Sequence, residues 1–228
     1  MSRLSIIMPA LNEGEEIGPA LDALSSLRAL GVEVIVVDGG SSDATIQRAR
    51  LRADHVIKAP RGRAVQMNAG AETAIGSVLL FLHADTRLPD AADILVLDGL
   101  ARSGRIWGRF DVRIDGGSFL LGLIAWFMNL RSRLSGIATG DQAIFVQREA
   151  FRTVGGFPPI ALMEDVALSK RLKRVGRPLA LRQRAVISGR RWETDGVLPT
   201  ILLMWRLRLA YFFGADPDTL AKRYGYGR

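Results

Sequence analysis

The amino-acid sequence predicts an α/β protein built on an open, mostly parallel central sheet with helices on its faces. Three observations carry that expectation. Short apolar runs alternate with amphipathic stretches from Leu4 to Leu82, the rhythm of consecutive βαβ units. Two of those runs, Val32–Val37 and Ser77–Leu82, are almost continuously apolar, as strands covered on both faces must be. Each run then breaks into polar residues, and in open α/β sheets ligands bind in the crevice beyond the carboxyl ends of the strands.

The elements follow in order. Leu4–Met8 is the first strand, Glu15–Leu30 an amphipathic helical stretch, and Val32–Val37 the second strand. Ser42–Ala53 is helical, opening at Asp43 with Ser42 or Asp43 as its cap. His55–Ile57 makes a short strand, Ala64–Ala74 a helix and Ser77–Leu82 a third apolar strand. The second half is less regular. Gly104–Gly117 reads as an irregular loop or hairpin, Phe119–Met128 as an apolar run and Gln142–Val146 as a strand. Gly155–Pro159 breaks the chain before a helix that opens near Glu164. No internal repeat and no linker interrupts the chain, so residues 1–228 are expected to form one domain.

Composition narrows the classes of function. The 228 residues are 48% hydrophobic and 24% charged, which excludes low-complexity and disordered chains and allows a large core. Cysteine is absent, so a disulfide framework and a thiolate metal site are excluded. The opening Met-Ser-Arg runs straight into an apolar stretch too short for a signal sequence, as expected of the first strand of a cytoplasmic protein. A net charge of +8 favours polyanions, anionic lipid or phosphorylated substrates. The basic residues are scattered, with no zinc-finger spacing and no ribonucleoprotein-type aromatic motif, so nucleic acid is not an expected partner. Ser118–Leu130 is too short to span a bilayer, and Val197–Phe213 is interrupted by Arg206 and Arg208. With Trp126, Trp205 and Tyr211 these segments suit peripheral contact at the inner membrane face; packing on the domain or on a second subunit, as a homodimer, suits them equally.

Three strand-end clusters, Pro9–Glu13, Asp38–Asp43 and His83–Thr86, should surround one site. Asp85 could hold a hard divalent cation whose other ligands are phosphate oxygens and water, or could simply cap a turn before Pro89. Asp38 could accept a hydrogen bond from a nucleobase or ribose, in a turn whose two glycines allow close backbone approach. The G-x-G-x-x-G dinucleotide fingerprint is missing. Within Pro60–Gly70, Arg63, Gln66 and Asn68 could engage a diphosphate at a helix opening, or form a solvated basic turn. Glu164 and Asp165 begin an amphipathic helix, where Asp165 could take a proton from a hydroxyl and Glu164 could act as a cap.

Taken jointly and in order, Ile6–Glu13, Val36–Thr45, Asn68–Gly70, Phe81–Asp85, Gly155–Phe157 and Glu164-Asp165 resemble glycosyltransferase family 2 over residues 4 to 176. The resemblance implies a GT-A fold, a nucleoside-diphosphate sugar donor, Mn2+ or Mg2+, and inversion at the anomeric carbon during transfer to a small-molecule or lipid-linked hydroxyl acceptor. It makes residues 1–115 the nucleotide-binding half, 116–195 the acceptor and catalytic half and 196–228 a C-terminal helical segment. By the same resemblance Pro9, Ala10 and Glu13 contact the nucleotide; His83 and Ala84 are donor-side candidates, His83 as a contact to the ribose or the metal or as a structural strand-end residue. Asp38 recognises the base, Asp85 binds the metal and Asp165 is the catalytic base. Two departures stand out: His83 occupies a position where the family commonly has aspartate, and Met67 one where arginine often precedes Asn68, with Arg63 as a substitute. Gly62–Ala71, Phe81–Thr86, Gly140–Gln142 and the segment from Leu203 are similar to a bacterial subgroup known for arsenosugar biosynthesis. Asp141, Glu164, Arg191 and Trp192 are the candidate acceptor contacts, although Trp192 could equally be a packing residue. The rival expectations are a sugar-phosphate nucleotidyltransferase, whose Gly-rich basic loop is replaced here by Pro9–Glu13, and a nucleotide-sugar-binding protein without turnover.

Overall fold

The computed structural model describes residues 4–225, and the side chains of Arg191, Glu193, Asp195 and Leu198 lie outside that description. The first half supplies β1 (Leu4–Ala10), α1 (Ile17–Asp22), α2 (Ser25–Ala29), β2 (Glu33–Asp38), α3 (Thr45–Arg50), β3 (His55–Lys58), α4 (Arg63–Thr73) and β4 (Val78–Phe81). These four strands pair in parallel in the order β3-β2-β1-β4. Side chains alternate across the sheet, so Ile6, Met8, Val34, Val36 and Leu80 meet one apolar layer with Ile17, Leu21 and Leu24. Ile7, Ile35, Val37, Leu79 and Phe81 meet the other, with Met67 and Ala71 of α4. Two covered faces explain why these strands read as unbroken apolar runs.

The second half continues the same sheet. It contains β5 (Thr86–Arg87), α5 (Ala92–Ser103), β6 (Trp107–Asp115), α6 (Phe119–Ser135), a 3-10 turn at Gly140–Gln142, β7 (Phe145–Gln147), α7 (Arg148–Thr153) and α8 (Glu164–Val175). After them come β8 (Leu179–Ser188), α9 (Arg190–Asp195), α10 (Val197–Phe212) and α11 (Pro217–Tyr224). The full order is β3-β2-β1-β4-β7-β6-β8-β5, with β7 antiparallel to both neighbours, β6 and β8 parallel, and β5 antiparallel to β8. Helices α10 and α11 return over the end of α8, where Leu207, Leu220 and Ala221 bury Leu162 and Met163.

Several sequence expectations change. Gly104–Gly117 is no loop: Trp107–Asp115 is a nine-residue strand, in which Arg109 and Asp111 are withdrawn from solvent by pairing while Arg113 and Asp115 stay exposed. Arg109, 1% exposed, binds Asp111, which also accepts a hydrogen bond from Arg133 at 2.6 Å. The strand expected over Gln142–Val146 begins only at Phe145, because Thr139 and Gln142 cap a 3-10 turn reciprocally. Glu15–Leu30 is two short helices, and α3 opens at Thr45 and not at Asp43. Asp43 is occupied elsewhere, accepting hydrogen bonds from the backbone N–H of Thr45 and, at 2.8 Å, of Gly14, which laces two strand-end loops together.

Gly108 lies where β6 passes between β7 and β8, and a Cβ there would fall 2.3 Å from the Leu179 carbonyl oxygen and 2.6 Å from the Phe145 ring. Backbone cannot yield as a flexible side chain does, so Gly108→Ala should lose about 3 kcal/mol of stability. Urea denaturation of parent and variant measures this; a loss within the error of the midpoint would show that the sheet relaxes freely here.

Candidate functional site

The carboxyl ends of β1 and β4 open, with the start of α4, into a cavity of about 470 Å³ lined by Pro9, Ala10, Glu13, Arg63, Gln66, His83, Ala84 and Asp85. Arg61 also lines it, as do Ala161 and Ala221 from the far side. Its floor is set by Gln66, 3% exposed on α4. The Gln66 Nε2 donates to the carbonyls of Ala10 (2.9 Å) and Val37 (2.8 Å), and its Oε1 accepts from the Gly62 N–H. A single amide thereby ties the ends of β1 and β2 to the loop that carries Arg61 and Arg63. Its polar atoms are engaged in that brace.

Asp38 and Asn68 stand apart from the cavity. Asp38 is fully buried, with its carboxylate accepting from the N–H groups of Gly40 and Ser41, so it shapes its own turn. Asn68 spends both ends of its amide on Phe157, donating to the carbonyl at 2.9 Å and accepting from the N–H at 3.0 Å. It lines a separate groove and fixes the Gly155–Phe157 turn. Met67 points into the core at 3% exposure, so the cation next to the cavity comes from Arg63 one turn earlier.

Glu13 and Asp85 form the acidic wall. Burial, and then the charge of Asp85, push the Glu13 carboxyl upward, against the pull of Arg63 and Arg190. Asp85 is exposed and receives a hydrogen bond from the Thr86 hydroxyl at 3.2 Å. It also borders a second groove of about 650 Å³ with Arg87, Ser188 and Arg190. Among the described residues no group of three His, Cys, Asp or Glu side chains could hold a metal by itself. Two neighbouring carboxylates with unbalanced charge do fit Mg2+ or Mn2+, which keep most of their water and take one or two carboxylates together with substrate phosphates.

Behind His83 the cavity's edge meets the second half of the chain. The ring of His83 lies against Gly140, where a Cβ would come within 2.5 Å, so only glycine fits. Its Nδ1 is 3.7 Å from the Asp141 carboxylate. Packing would raise the Asp141 carboxyl, but His83, Arg63 and Arg208 outweigh it and hold that group below its ordinary value. The Gly140 N–H donates to Asp165 Oδ2 at 2.8 Å, and Asp165 Oδ1 accepts from the Val166 N–H. Glu164 beside Asp165 is 6% exposed; burial, and then the charge of Asp165, push its carboxyl up to about 7.

Of the other candidates, Trp192 packs against Ile114, Leu121 and Ala125, which makes it part of an apolar cluster, and the Arg191 side chain falls outside the described residues. Sequence reasoning overlooked Arg61 and Arg190. Arg190 pairs with Glu16 and borders the groove beside Asp85, and its only signal was a place in the basic Gly189–Trp192 segment.

A parallel half-sheet whose strand ends hold a nucleotide-sized cavity, joined to a mixed half-sheet carrying a helix-borne carboxylate pair, defines a GT-A fold. The comparisons extend this to the family. The model of "Glycosyl transferase family 2" matches residues 5–152, and the chain belongs to that family. A PGL/p-HBAD biosynthesis glycosyltransferase of Mycobacterium tuberculosis is 30% identical over 174 residues, covering 67% of this chain and 62% of that protein. The chain thus spans about three fifths of the curated relative's length. The mannosyltransferase PcManGT from Pyrobaculum calidifontis, solved with GDP-Man and Mn2+, superposes with a TM-score of 0.68 at 21% identity, over 98% of this chain and 69% of that one. S. aureus TarS residues 1–349, solved with UDP-GlcNAc, superposes at 0.67 with 17% identity, over 82% and 58% of the two chains.

The raised Glu164 carboxyl gives a testable linkage. Its folded value lies above the ordinary 4.5, so the folded state binds a proton that the unfolded chain releases between those values. Stability from this group is therefore present below about pH 4.5 and lost as pH rises through about 7. Glu164→Gln should remove that loss, gaining on the order of 1–3 kcal/mol over the parent at pH 8.5 relative to pH 5.5. Melting curves at both values check it, and an equal pH dependence in the two proteins would refute it.

Proposed function

We propose that the protein transfers a sugar from a nucleoside-diphosphate sugar to a hydroxyl acceptor with inversion at the anomeric carbon. One observation carries the reading. His83 lines the cavity that holds Asp85 and packs its ring against Gly140, whose N–H holds Asp165, so one histidine–glycine contact couples the carboxylate assigned to the donor to the one assigned to the acceptor.

In this reading the nucleoside diphosphate lies across Pro9, Ala10 and Glu13, with Arg61 and Arg63 at its phosphates. Asp85, assisted by Glu13, would hold Mg2+ or Mn2+, whose chemistry is to neutralise charge on the departing diphosphate. Asp165 accepts the proton of the acceptor hydroxyl as that oxygen bonds to the anomeric carbon. The bond from that carbon to the phosphate oxygen breaks on the opposite face, and the nucleoside diphosphate leaves. The Gly140 N–H holds Asp165 in position, and the raised Glu164 carboxyl beside it carries less charge than an ordinary glutamate near neutral pH. Gly62–Ala71, Phe81–Thr86 and Gly140–Gln142 support a place in the arsenosugar subgroup, with the acceptor left open.

A membrane-surface acceptor is favoured by the apolar residues that α6 and α10 leave in solvent. Phe119, Trp126 and Phe127 project from α6, and Trp205 and Phe212 from α10, in a chain of net charge +8. No helix among the described residues is long and apolar enough to cross a membrane. Vesicles containing phosphatidylglycerol should sediment the protein, and Trp126→Glu with Trp205→Glu should release it. Retention unchanged by those substitutions, or a dimer by light scattering that loses them as its interface, would overturn membrane contact.

The central reading is tested by two substitutions. Asp85→Ala should abolish the ability of Mn2+ to strengthen UDP or GDP binding in calorimetry. Asp165→Asn should leave that binding intact and lower sugar transfer or donor hydrolysis by at least about 100-fold. Metal-dependent binding retained without Asp85, or parental turnover without the Asp165 carboxylate, would sink the respective assignment.

A further inference from the structure

Arg131, near the end of α6, is the one arginine among the described residues whose buried guanidinium atoms have no hydrogen-bond partner. The contrast with other arginines on the same side is informative. Arg109 and Arg133 share Asp111, and Arg133 also reaches the Ala180 carbonyl. Arg131 Nε and Nη2 are both closed off from solvent and unmet. A polar group buried without a partner costs roughly 1–3 kcal/mol, and more when charged. The two unmet atoms are also not an arbitrary pair. They form one edge of the guanidinium fork, whose parallel N–H groups match two oxygens of one carboxylate or phosphate.

The charges that act on Arg131 are those of Arg208 on α10 and of Asp165, Arg109 and Asp141. Burial, then the Arg208 charge, lowers the Arg131 guanidinium to about 10. Both carboxylates offset its charge in part, but neither meets its N–H groups. Asp165 is engaged by the N–H groups of Gly140 and Val166, and Asp141 faces His83. No ion pair within 4 Å joins either one to Arg131 among the described residues.

We infer that the unmet guanidinium edge of Arg131, helped by the charge of Arg208, forms a subsite for a phosphate or carboxylate borne by the acceptor. This rests on the glycosyl-transfer reading and names the acceptor's chemical class. An acceptor anchored by its anion would present a neighbouring hydroxyl to Asp165, and the two cations would offset its repulsion from the carboxylates nearby. The anion is carried either by a soluble phosphate ester or carboxylate, or by a lipid phosphate.

The test reads binding without turnover. In metal-free buffer of matched ionic strength, inorganic phosphate should raise the melting temperature of the parent, and Arg131→Met should weaken the half-saturating response at least tenfold. Arg131→Lys, which keeps the charge and loses the fork, should weaken it as well. Without phosphate, Arg131→Met should melt at or above the parent temperature, because an unpaired buried charge has been removed. A merely structural arginine would give the opposite shift. Arg208→Met, on a different helix, supplies an independent variant with the same expected loss of phosphate response. The parent response should persist in excess UDP.

An equal phosphate response in parent and both methionine variants overturns the subsite. So does abolition of the response by UDP, which would assign the guanidinium to the donor's diphosphate. Arg131-dependent retention on phosphatidic acid vesicles, and not on phosphatidylcholine, supports the lipid source; a phosphate response without such retention supports the soluble one. If UDP fails to bind while the Arg131-dependent phosphate response survives, the glycosyl-transfer reading falls and the anion subsite stands.

Discussion

The buried amide of Gln66 is the constraint on which the donor side depends. Three backbone groups close on it: the Ala10 carbonyl, which also accepts from the Gly39 N–H, the Val37 carbonyl, and the Gly62 N–H of the loop that opens α4. Without the amide each would lose a hydrogen bond, and any one left with no other partner would cost roughly 1–3 kcal/mol. The brace also limits what can stand nearby. A Cβ at Gly39 would come 3.0 Å from the Gln66 amide, so the turn after β2 must be narrow there. The glycine-rich turn is therefore shaped as much by this side chain as by its own flexibility.

A second constraint joins the halves of the sheet. Strand β7 reverses direction between β4 and β6, which brings the Thr139–Gln142 turn back over the end of β4. There Gly140 accepts the ring of His83 and donates its N–H to Asp165. Any residue larger than glycine would push the His83 ring and the turn apart and disturb the hydrogen bond that holds Asp165. His83, a departure from the family pattern, is thus fitted to a packing role against Gly140 as well as facing the cavity.

How far the sequence discloses this arrangement depends on which forces leave a pattern along the chain. Burial on both faces writes itself directly, and β1, β2 and β4 are legible as apolar runs. Strand β6 is not, because Arg109 and Asp111 look like solvent-facing charges until Arg133, from a helix later in the chain, is seen to complete their neutralisation. Strand β8 hides similarly, its exposed Arg182-Gln-Arg184 interrupting the apolar pattern. At the site, Pro9, Glu13, Arg63, His83 and Asp85 converge as their strand-end positions suggest. Asp38 and Asn68 carry equally polar side chains but turn them to their own loop and to Phe157. Residue type and position at a strand end do not distinguish these outcomes; only the partner does. For the same reason nothing in the sequence marks Arg131, whose significance lies in a partner that is missing.

The C-terminal helices acquire a structural meaning from Met163. This residue precedes Glu164 and Asp165 with φ of 70°, a left-handed conformation costing a non-glycine residue on the order of 1–2 kcal/mol. The unusual backbone lets α8 start abruptly, so that two adjacent carboxylates occupy its first turn with different fates, Glu164 buried and Asp165 turned to Gly140. What holds Met163 in place is its side chain, 7% exposed and packed with Leu162 against Leu207, Leu220 and Ala221. Hydrophobic burial of that size, about 1.5–3 kcal/mol for a methionine, is sufficient to offset the strain. Helices α10 and α11 therefore do more than cover the domain. They supply the apolar seat that fixes the start of α8, and through it the separation of Glu164 from Asp165, while α11 closes the far side of the donor cavity with Ala221.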